Sequence, residues 1–329
     1  MSSLDAVELV LFIESLRGDE VDTDAVEAEV FRSIDALYAG FFGGVQRDAG
    51  ALQALKRGGP RNLFLVHDGD GDTLLYMNVA RRMPKDVSVF GIEPRRMPGV
   101  PLAHVRIEDM ASAYLEEVRK QQPHGPYLLG GMCAGGTIAY EMAAQLTRAG
   151  ERVELVALLD AATPQAPKRV GRITKQRFTR LREALAQLRA SEILHKLRNA
   201  LTWEAVRFVK RWSTAARFRL LHAVLARRRP WPSFVPTLSV REIYESAEAR
   251  YVPKQVDDAG VLLVRARVGK AEDTPFREIY ADDTLGWGAV AGSLAVVDVE
   301  GGHSSMLQEP HAESLAAVLL PRVVPAQPV

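Results

Sequence analysis

From Leu63 to Leu320 the chain alternates short apolar runs with longer amphipathic stretches. Leu63–His67, Val87–Ile92, the run opening at Tyr127, Val153–Leu159, Val261–Ala266 and Leu294–Val299 are too short for helices and rich in branched residues, so they predict buried strands. Between them apolar residues recur at helical spacing. Met110, Ala113, Tyr114 and Val118 place one helix over about Ile107 to Lys120. Others are predicted from about Thr73 to Arg82, from Thr137 to a stop at Gly150, and from about Pro310 to Leu320. Strand and helix in strict alternation predict an α/β fold, a mostly parallel sheet with helices on both faces.

The alternation fails in two places. After Thr163-Pro164 the chain from about Ile173 to Ala226 is helical by spacing, as at Phe178, Leu181, Leu185 and Leu188, until Pro230, Pro232 and Pro236 punctuate it. A helical insertion at about 164–240 between two core strands reads as a lid. It leaves the end of a parallel strand, so it should overhang whatever lies at the strand C-termini. At the other end, residues 1–40 predict two acidic helices and 41–61 a linker with one short helical piece, leaving 62–329 as the main domain.

One stretch breaks strand into helix abruptly. Gly131-Met132-Cys133-Ala134-Gly135-Gly136 puts small residues on both sides of the chain's one cysteine. A nucleophile held on a strand-to-helix turn takes strained backbone angles, and only small neighbours keep that turn clear of the strand and helix beside it. The pattern is a nucleophile elbow of the α/β-hydrolase kind, with cysteine in place of serine. A buried inert thiol is the alternative reading, but Cys133 falls where a side chain should be exposed at the sheet edge.

In that chain order a carboxylate and a histidine follow the nucleophile. Of seven histidines, His303 is the one in a tight Gly301-Gly302 loop directly after the final strand, where it can take a proton from Cys133 or stand as imidazolium beside its thiolate. His311 falls on the next helix and His67 after the first strand. For the carboxylate, Asp160 ends the strand after the elbow, and Glu272 and Asp273 follow the next strand; either strand end can reach the same imidazole. Asp160 is preferred because the insertion begins directly behind it. The oxyanion donors should be the backbone N–H of Ala134, at the helix N-terminus, and one from the Asp68–Gly71 loop. Asp68, Asp70 and Asp72 look like part of a calcium loop but lack its closing glutamate, and no Cys/His cluster has metal-ligand spacing, so no metal is expected.

Charge adds a further asymmetry. The net charge is +1, yet residues 1–35 hold ten Asp/Glu against Arg17 and Arg32, and residues 168–229 hold eighteen Lys/Arg against Glu183, Glu192 and Glu204. No aromatic interleaving or nucleic-acid module accompanies the basic stretch, so nucleic acid is not an expected partner. No apolar run reaches the ~20 residues that span a bilayer. A single cysteine and an N-terminus without a basic, apolar leader predict a cytoplasmic protein.

Taken together, Gly131–Gly136, Leu158-Leu159-Asp160, Gly302-His303-Ser304-Ser305-Met306-Leu307 and the helical insertion resemble the thioesterase domains that end nonribosomal peptide and polyketide assembly lines. The resemblance implies a Cys133–His303–Asp160 triad, favours Asp160 over Asp273, and places the loop oxyanion donor near Gly69 by alignment back from Tyr76-Met77-Asn78. It implies an enzyme that needs no cofactor of its own. The enzyme takes an acyl or peptidyl chain from phosphopantetheine on a carrier protein and releases it by cyclisation or hydrolysis. Carrier proteins and phosphopantetheine are anionic, so a basic lid would steer them. Ser3-Leu4-Asp5-Ala6-Val7-Glu8-Leu9 in turn is similar to the serine-led second helix of an acyl or peptidyl carrier protein, which implies Ser3 as a phosphopantetheine site within a partial carrier segment. The helix and loop that should precede Ser3 are absent from the sequence, which suggests a truncation or a surviving remnant. Gly-x-Cys-x-Gly-Gly also resembles dienelactone hydrolases, compact enzymes that carry the acid one strand later. A docking protein without catalysis is the third expectation.

Overall fold

In the computed structural model, which describes residues 52–169 and 214–324, each apolar run is a strand. The strands are β1 (Leu52–Lys56), β2 (Arg61–Val66), β3 (Val87–Ile92), β4 (Tyr127–Met132), β5 (Val153–Leu159), β6 (Val261–Ala266) and β7 (Leu294–Val299). They form one sheet in the order β1-β3-β2-β4-β5-β6-β7. Every pairing is parallel except β1 with β3. Helices α1 (Met77–Arg82), α2 (Ile107–Gln121), α3 (Ala134–Arg148), α4 (Val240–Glu248), α5 (Phe276–Ile279) and α6 (Ala312–Val323) connect or follow the strands.

Alternation along each strand decides which helices cover which face. Phe64 and Val66 of β2 join Met110, Tyr114 and Val118 of α2 and Ile138, Met142 and Leu146 of α3 in one core. Leu63 and Leu65 point the other way, into a second core with Tyr76, Val79 and Ala80 and with Leu315, Ala316 and Leu319 of α6. Because β2, β3 and β4 are covered on both faces, they read in the sequence as unbroken apolar runs rather than alternating ones.

The linker predicted over 41–61 is corrected at its end, since residues 52–56 are strand β1 and β2 already begins at Arg61. Leu52 and Leu55 are spaced as on a helix, but on this strand they face opposite sides of the sheet. Ala54 pairs with Phe90 and Lys56 with Val89, which leaves Leu55 as an extra residue. Alternation puts Leu55 in the second core while Leu52 and Ala54 pack on the first.

After β5 the described part of the insertion is helical over 214–226, and Leu221 and Val224 are buried in the first core. The chain re-enters through α4, whose N-terminus carries a capping box. Ser239 Oγ accepts from Glu242 N–H at 3.1 Å, and Glu242 Oε2 accepts from Ser239 N–H at 2.9 Å. The rest of the predicted lid, 170–213, lies outside the described residues, as do the predicted carrier-like segment 1–40 and Ser3. Among the described residues no helix is long and apolar enough to cross a membrane.

From β2 the chain steps outward to β3 and then returns across β2 to β4. The loops leaving the C-terminal ends of β2 and β4 therefore diverge and open a crevice between them, where open parallel sheets place ligands. This is the α/β-hydrolase arrangement, with the elbow at the end of β4.

Candidate active site

Cys133 sits between β4 and α3 at φ 51°, ψ −114°, a region costly for any residue with a Cβ. Close packing holds it there. A Cβ on Gly135 would lie 2.5 Å from the carbonyl oxygens of Val66 and His67, and one on Gly136 would lie 2.6 Å from the Ala161 methyl. The Cys133 N–H donates to Leu159 O at 3.0 Å and its carbonyl accepts from Gly136 N–H at 3.1 Å. Tyr76, fully buried, ties the ends of β2 and β4 together just beneath the turn: its hydroxyl donates to Val66 O at 2.7 Å and accepts from Met132 N–H at 2.8 Å. The Cys133 side chain is half-buried and faces the crevice.

His303 reaches that side chain from the loop after β7. Its Nδ1 lies 2.7 Å from Asp160 Oδ2. A carboxylate only accepts, so Nδ1 carries the hydrogen and Nε2 is left for Cys133, which lines the same crevice. The Phe276 ring stacks on the imidazole, centroids 4.4 Å apart and planes 18° from parallel. Burial alone would hold His303 neutral. The hydrogen bond to Asp160 and the interaction with Cys133 outweigh it and raise its pKa to about 10.

Asp160 is fully buried at φ 40°. Besides His303, its carboxylate accepts from Ala266 N–H at 3.3 Å and Phe276 N–H at 3.0 Å. Asp273 has a different task. Its Oδ1 accepts from Ser304 N–H at 2.6 Å and Ser305 N–H at 3.0 Å, and its Oδ2 from Ser305 Oγ at 2.7 Å. Partial burial would raise the Asp273 pKa, but these bonds and the nearby His303 hold it below the usual carboxylate range. Its backbone carbonyl also accepts from His303 N–H at 2.9 Å. Of the two candidate acids, Asp160 touches the imidazole and Asp273 braces the loop that carries it. Glu272 lines the crevice.

The loop after β2 wraps on itself. Asp68 N–H donates to Asp72 O, Gly71 N–H to Asp68 O, and Asp68 Oδ1 accepts from the N–H groups of Asp70 at 2.9 Å and Asp72 at 3.0 Å. Among the described residues, Gly69 is the one member of Asp68–Asp72 whose N–H has no acceptor. Gly69 sits beside Ala134, since a Cβ on it would lie 3.8 Å from the Ala134 Cβ. Ala134 opens α3, so its N–H has no intrahelical partner. Two unengaged N–H groups therefore belong to neighbouring residues that line the crevice with Cys133. The three aspartates are occupied by this turn and by Arg241, whose Nε and Nη2 donate to Asp70 at 2.8 and 2.5 Å. Among the described residues no acidic, histidine or cysteine group is arranged to hold a metal ion.

A cavity of about 620 Å³ opens over these groups, walled also by Tyr244, Glu248 and Tyr280. Sequence reasoning missed Phe276, Tyr76, Tyr244 and Arg241. None stands in a local pattern that marks it: Phe276, Tyr76 and Arg241 act through partners distant in the chain, and Tyr244 through its place on the cavity wall.

The family model for the thioesterase domain matches residues 61–321. Polyketide synthase 1 of Metarhizium majus is 42% identical over 149 residues, 45% of this chain and 6% of that protein. The non-reducing polyketide synthase Preu8 of Preussia isomera is 38% identical over 120 residues, 35% of this chain and 6% of its own length. The chain thus aligns with only a small part of these much longer relatives. Among solved structures, a holo four-domain nonribosomal peptide synthetase bound to AMP and glycine superposes with a TM-score of 0.54 at 24% identity, over 95% of this chain and 23% of that one, a likeness of fold.

Proposed function

The chain belongs to the thioesterase domain family, and on that premise we propose that it offloads an acyl or peptidyl chain from a carrier protein's phosphopantetheine thioester through Cys133. The observation that carries the reading is the juxtaposition at the elbow. Cys133 stands at a strained turn in one crevice with His303, with Asp160 on the far nitrogen of that imidazole and the neighbouring Gly69 and Ala134 beside it.

With His303 protonated, the Cys133 thiolate adds to the thioester carbonyl, and the oxyanion that forms lies between the Gly69 and Ala134 N–H groups. Collapse breaks the bond to the pantetheine sulfur, which takes the proton from His303 Nε2 as it leaves. Now neutral, His303 accepts the proton of the second nucleophile, water or a hydroxyl or amine of the chain itself. That nucleophile adds to the Cys133 thioester and expels Cys133 as thiolate. Asp160 keeps Nδ1 protonated and stabilises the imidazolium at both stages.

Cysteine sets the energetics of the second step. Transfer to serine would give an oxoester of lower energy, whereas transfer to cysteine exchanges one thioester for another. The acyl-enzyme stays activated, so a weak or strained internal nucleophile can displace it and give a lactone or an amide as well as an acid. The basic insertion is suited to the anionic carrier and its phosphopantetheine arm.

Incubation with a short acyl-pantetheine thioester, followed by intact-mass spectrometry beside Cys133→Ala, tests the reading. An adduct on the parent protein alone, discharged with turnover, is expected. Carrier binding with neither adduct nor turnover for several acyl chains would replace it with the docking reading.

A further inference from the structure

We propose that His67 is a positioning residue for acyl transfer: its imidazole clamps the Asp68–Gly69 peptide so that the Gly69 N–H faces the carbonyl that Cys133 attacks. The inference rests on the reading that Gly69 and Ala134 receive the oxyanion.

His67 is fully buried beneath the crevice. Its Nδ1 lies 2.7 Å from Asp68 O and its Nε2 lies 2.7 Å from the hydroxyl of Tyr114, itself buried on α2. A carbonyl can only accept, so Nδ1 must carry the hydrogen. The Nε2 of a neutral ring must then accept, and the phenol supplies the donor. Burial, reinforced by Arg96 and opposed by the Asp68 bond, lowers the His67 pKa to about 4, so at neutral pH the ring is uncharged and held in one tautomer.

The consequence follows from peptide geometry. In a trans peptide the C=O and the following N–H share a plane and point in opposite directions. Asp68 O is drawn toward the interior by His67 and accepts a second bond from Gly71 N–H at 3.2 Å. The Gly69 N–H is thereby turned away from the interior, at a residue that lies beside Ala134 and lines the crevice. The clamp does not rest on the loop alone. His67 N–H donates to Ile92 O at the end of β3, at 3.0 Å, and Tyr114 is part of the core beneath α2. Rigid elements thus set the donor's direction, and an oxyanion donor acts only when it is aimed before the charge develops.

The test separates oxyanion stabilisation from nucleophile formation. Acylation of Cys133 by a short acyl-pantetheine thioester needs both, whereas alkylation by iodoacetamide passes through no oxyanion and needs only the thiolate. His67→Phe combined with Tyr114→Phe removes the clamp and keeps two aromatic rings. We expect acylation to slow by roughly 10- to 100-fold while the alkylation rate holds at the parent's value. His67→Asn, whose amide nitrogen can donate where Nδ1 does, should recover most of the acylation. Should the double variant fail to fold, His67→Asn and Tyr114→Phe are compared instead, with the second the slower to acylate. Equal acylation in parent and variants, or acylation and alkylation falling together, would overturn the assignment. A parent that alkylates but never acylates would overturn the offloading reading itself, a result visible before any variant is made.

Discussion

Asp160→Asn isolates the part of the site with the most converging structure. Three donors meet at this carboxylate: His303 Nδ1–H at 2.7 Å, Phe276 N–H at 3.0 Å and Ala266 N–H at 3.3 Å. An amide offers one oxygen and turns an NH2 toward at least one of those donors. If the oxygen takes the Oδ1 place beside Ala266 N–H, the imidazole and the Phe276 N–H both lose their acceptor, and the ring can flip its tautomer, putting a hydrogen on its other nitrogen. If the oxygen turns to His303, a buried backbone N–H loses its acceptor, at about 1–3 kcal/mol of stability. Loss of the orienting aspartate from a serine triad costs about 10⁴ in rate. A thiolate leans less on its general base, so we expect Cys133 acylation to fall about 10²- to 10³-fold, or about 3–4 kcal/mol in the barrier. The pH dependence has a definite sign. His303 is raised from about 6.5 when unfolded to about 10 when folded. Its stabilisation is therefore fully present below pH ~6.5 and is lost as pH rises through about 10. The stability gap between parent and Asp160→Asn should accordingly be widest below pH ~6.5 and narrow toward about 10. Asp273→Asn is the control, because its amide can still accept from Ser304 and Ser305 N–H and donate to Ser305 Oγ. Timed intact-mass spectra of the acyl adduct, with urea unfolding across pH, give both readouts. Near-parent acylation in Asp160→Asn, or an equal loss in Asp273→Asn, would refute the assignment of the acid.

Three further outcomes follow from packing and burial. Gly135→Ala forces a Cβ to within 2.5 Å of two carbonyl oxygens; we expect a loss of roughly 1–3 kcal/mol in urea unfolding, and parent-like stability would mean the elbow is slack. Tyr76→Phe leaves Val66 O and Met132 N–H without their buried partner and should lower stability by about 1–3 kcal/mol; a melting curve superimposed on the parent's would contradict that. His67 has a folded pKa of about 4 against about 6.5 unfolded, so its contribution is present above pH ~6.5 and is lost as pH falls through about 4, a cost of about 3 kcal/mol. His67→Asn should remove that acid-side slope from the unfolding free energy, and an unchanged slope would assign it to other groups.

The grouping of Cys133, His303 and Asp160 was largely legible because its demands are local. A strained strand-to-helix turn needs small residues in immediate sequence, so Gly131, Ala134, Gly135 and Gly136 mark Cys133 without a structure. His303 and Asp160 follow strands, whose ends the short apolar runs locate. The parallel sheet was legible for the same reason, since burial on both faces writes continuous apolar runs. Strand β1 was not. Leu52 and Leu55 stand three apart, as on a helix, because each serves a different face of the sheet, and the pairing to β3 lies in contacts 33 to 40 residues away. Between Asp160 and Asp273 the chain order left a choice, because both follow strands that end at one edge. Only the fold shows that Asp160 reaches Nδ1 while Asp273 is consumed by the Ser304–Ser305 backbone. The support beneath the site was invisible for the same physical reason. Tyr76, Phe276 and the His67–Tyr114 pair act through hydrogen bonds and stacking to residues ten to fifty-six positions away. The sequence by itself determined which backbone positions must be small and which side chains could do chemistry. Tertiary structure alone decided which way each donor points, because direction is set by partners that no local pattern records.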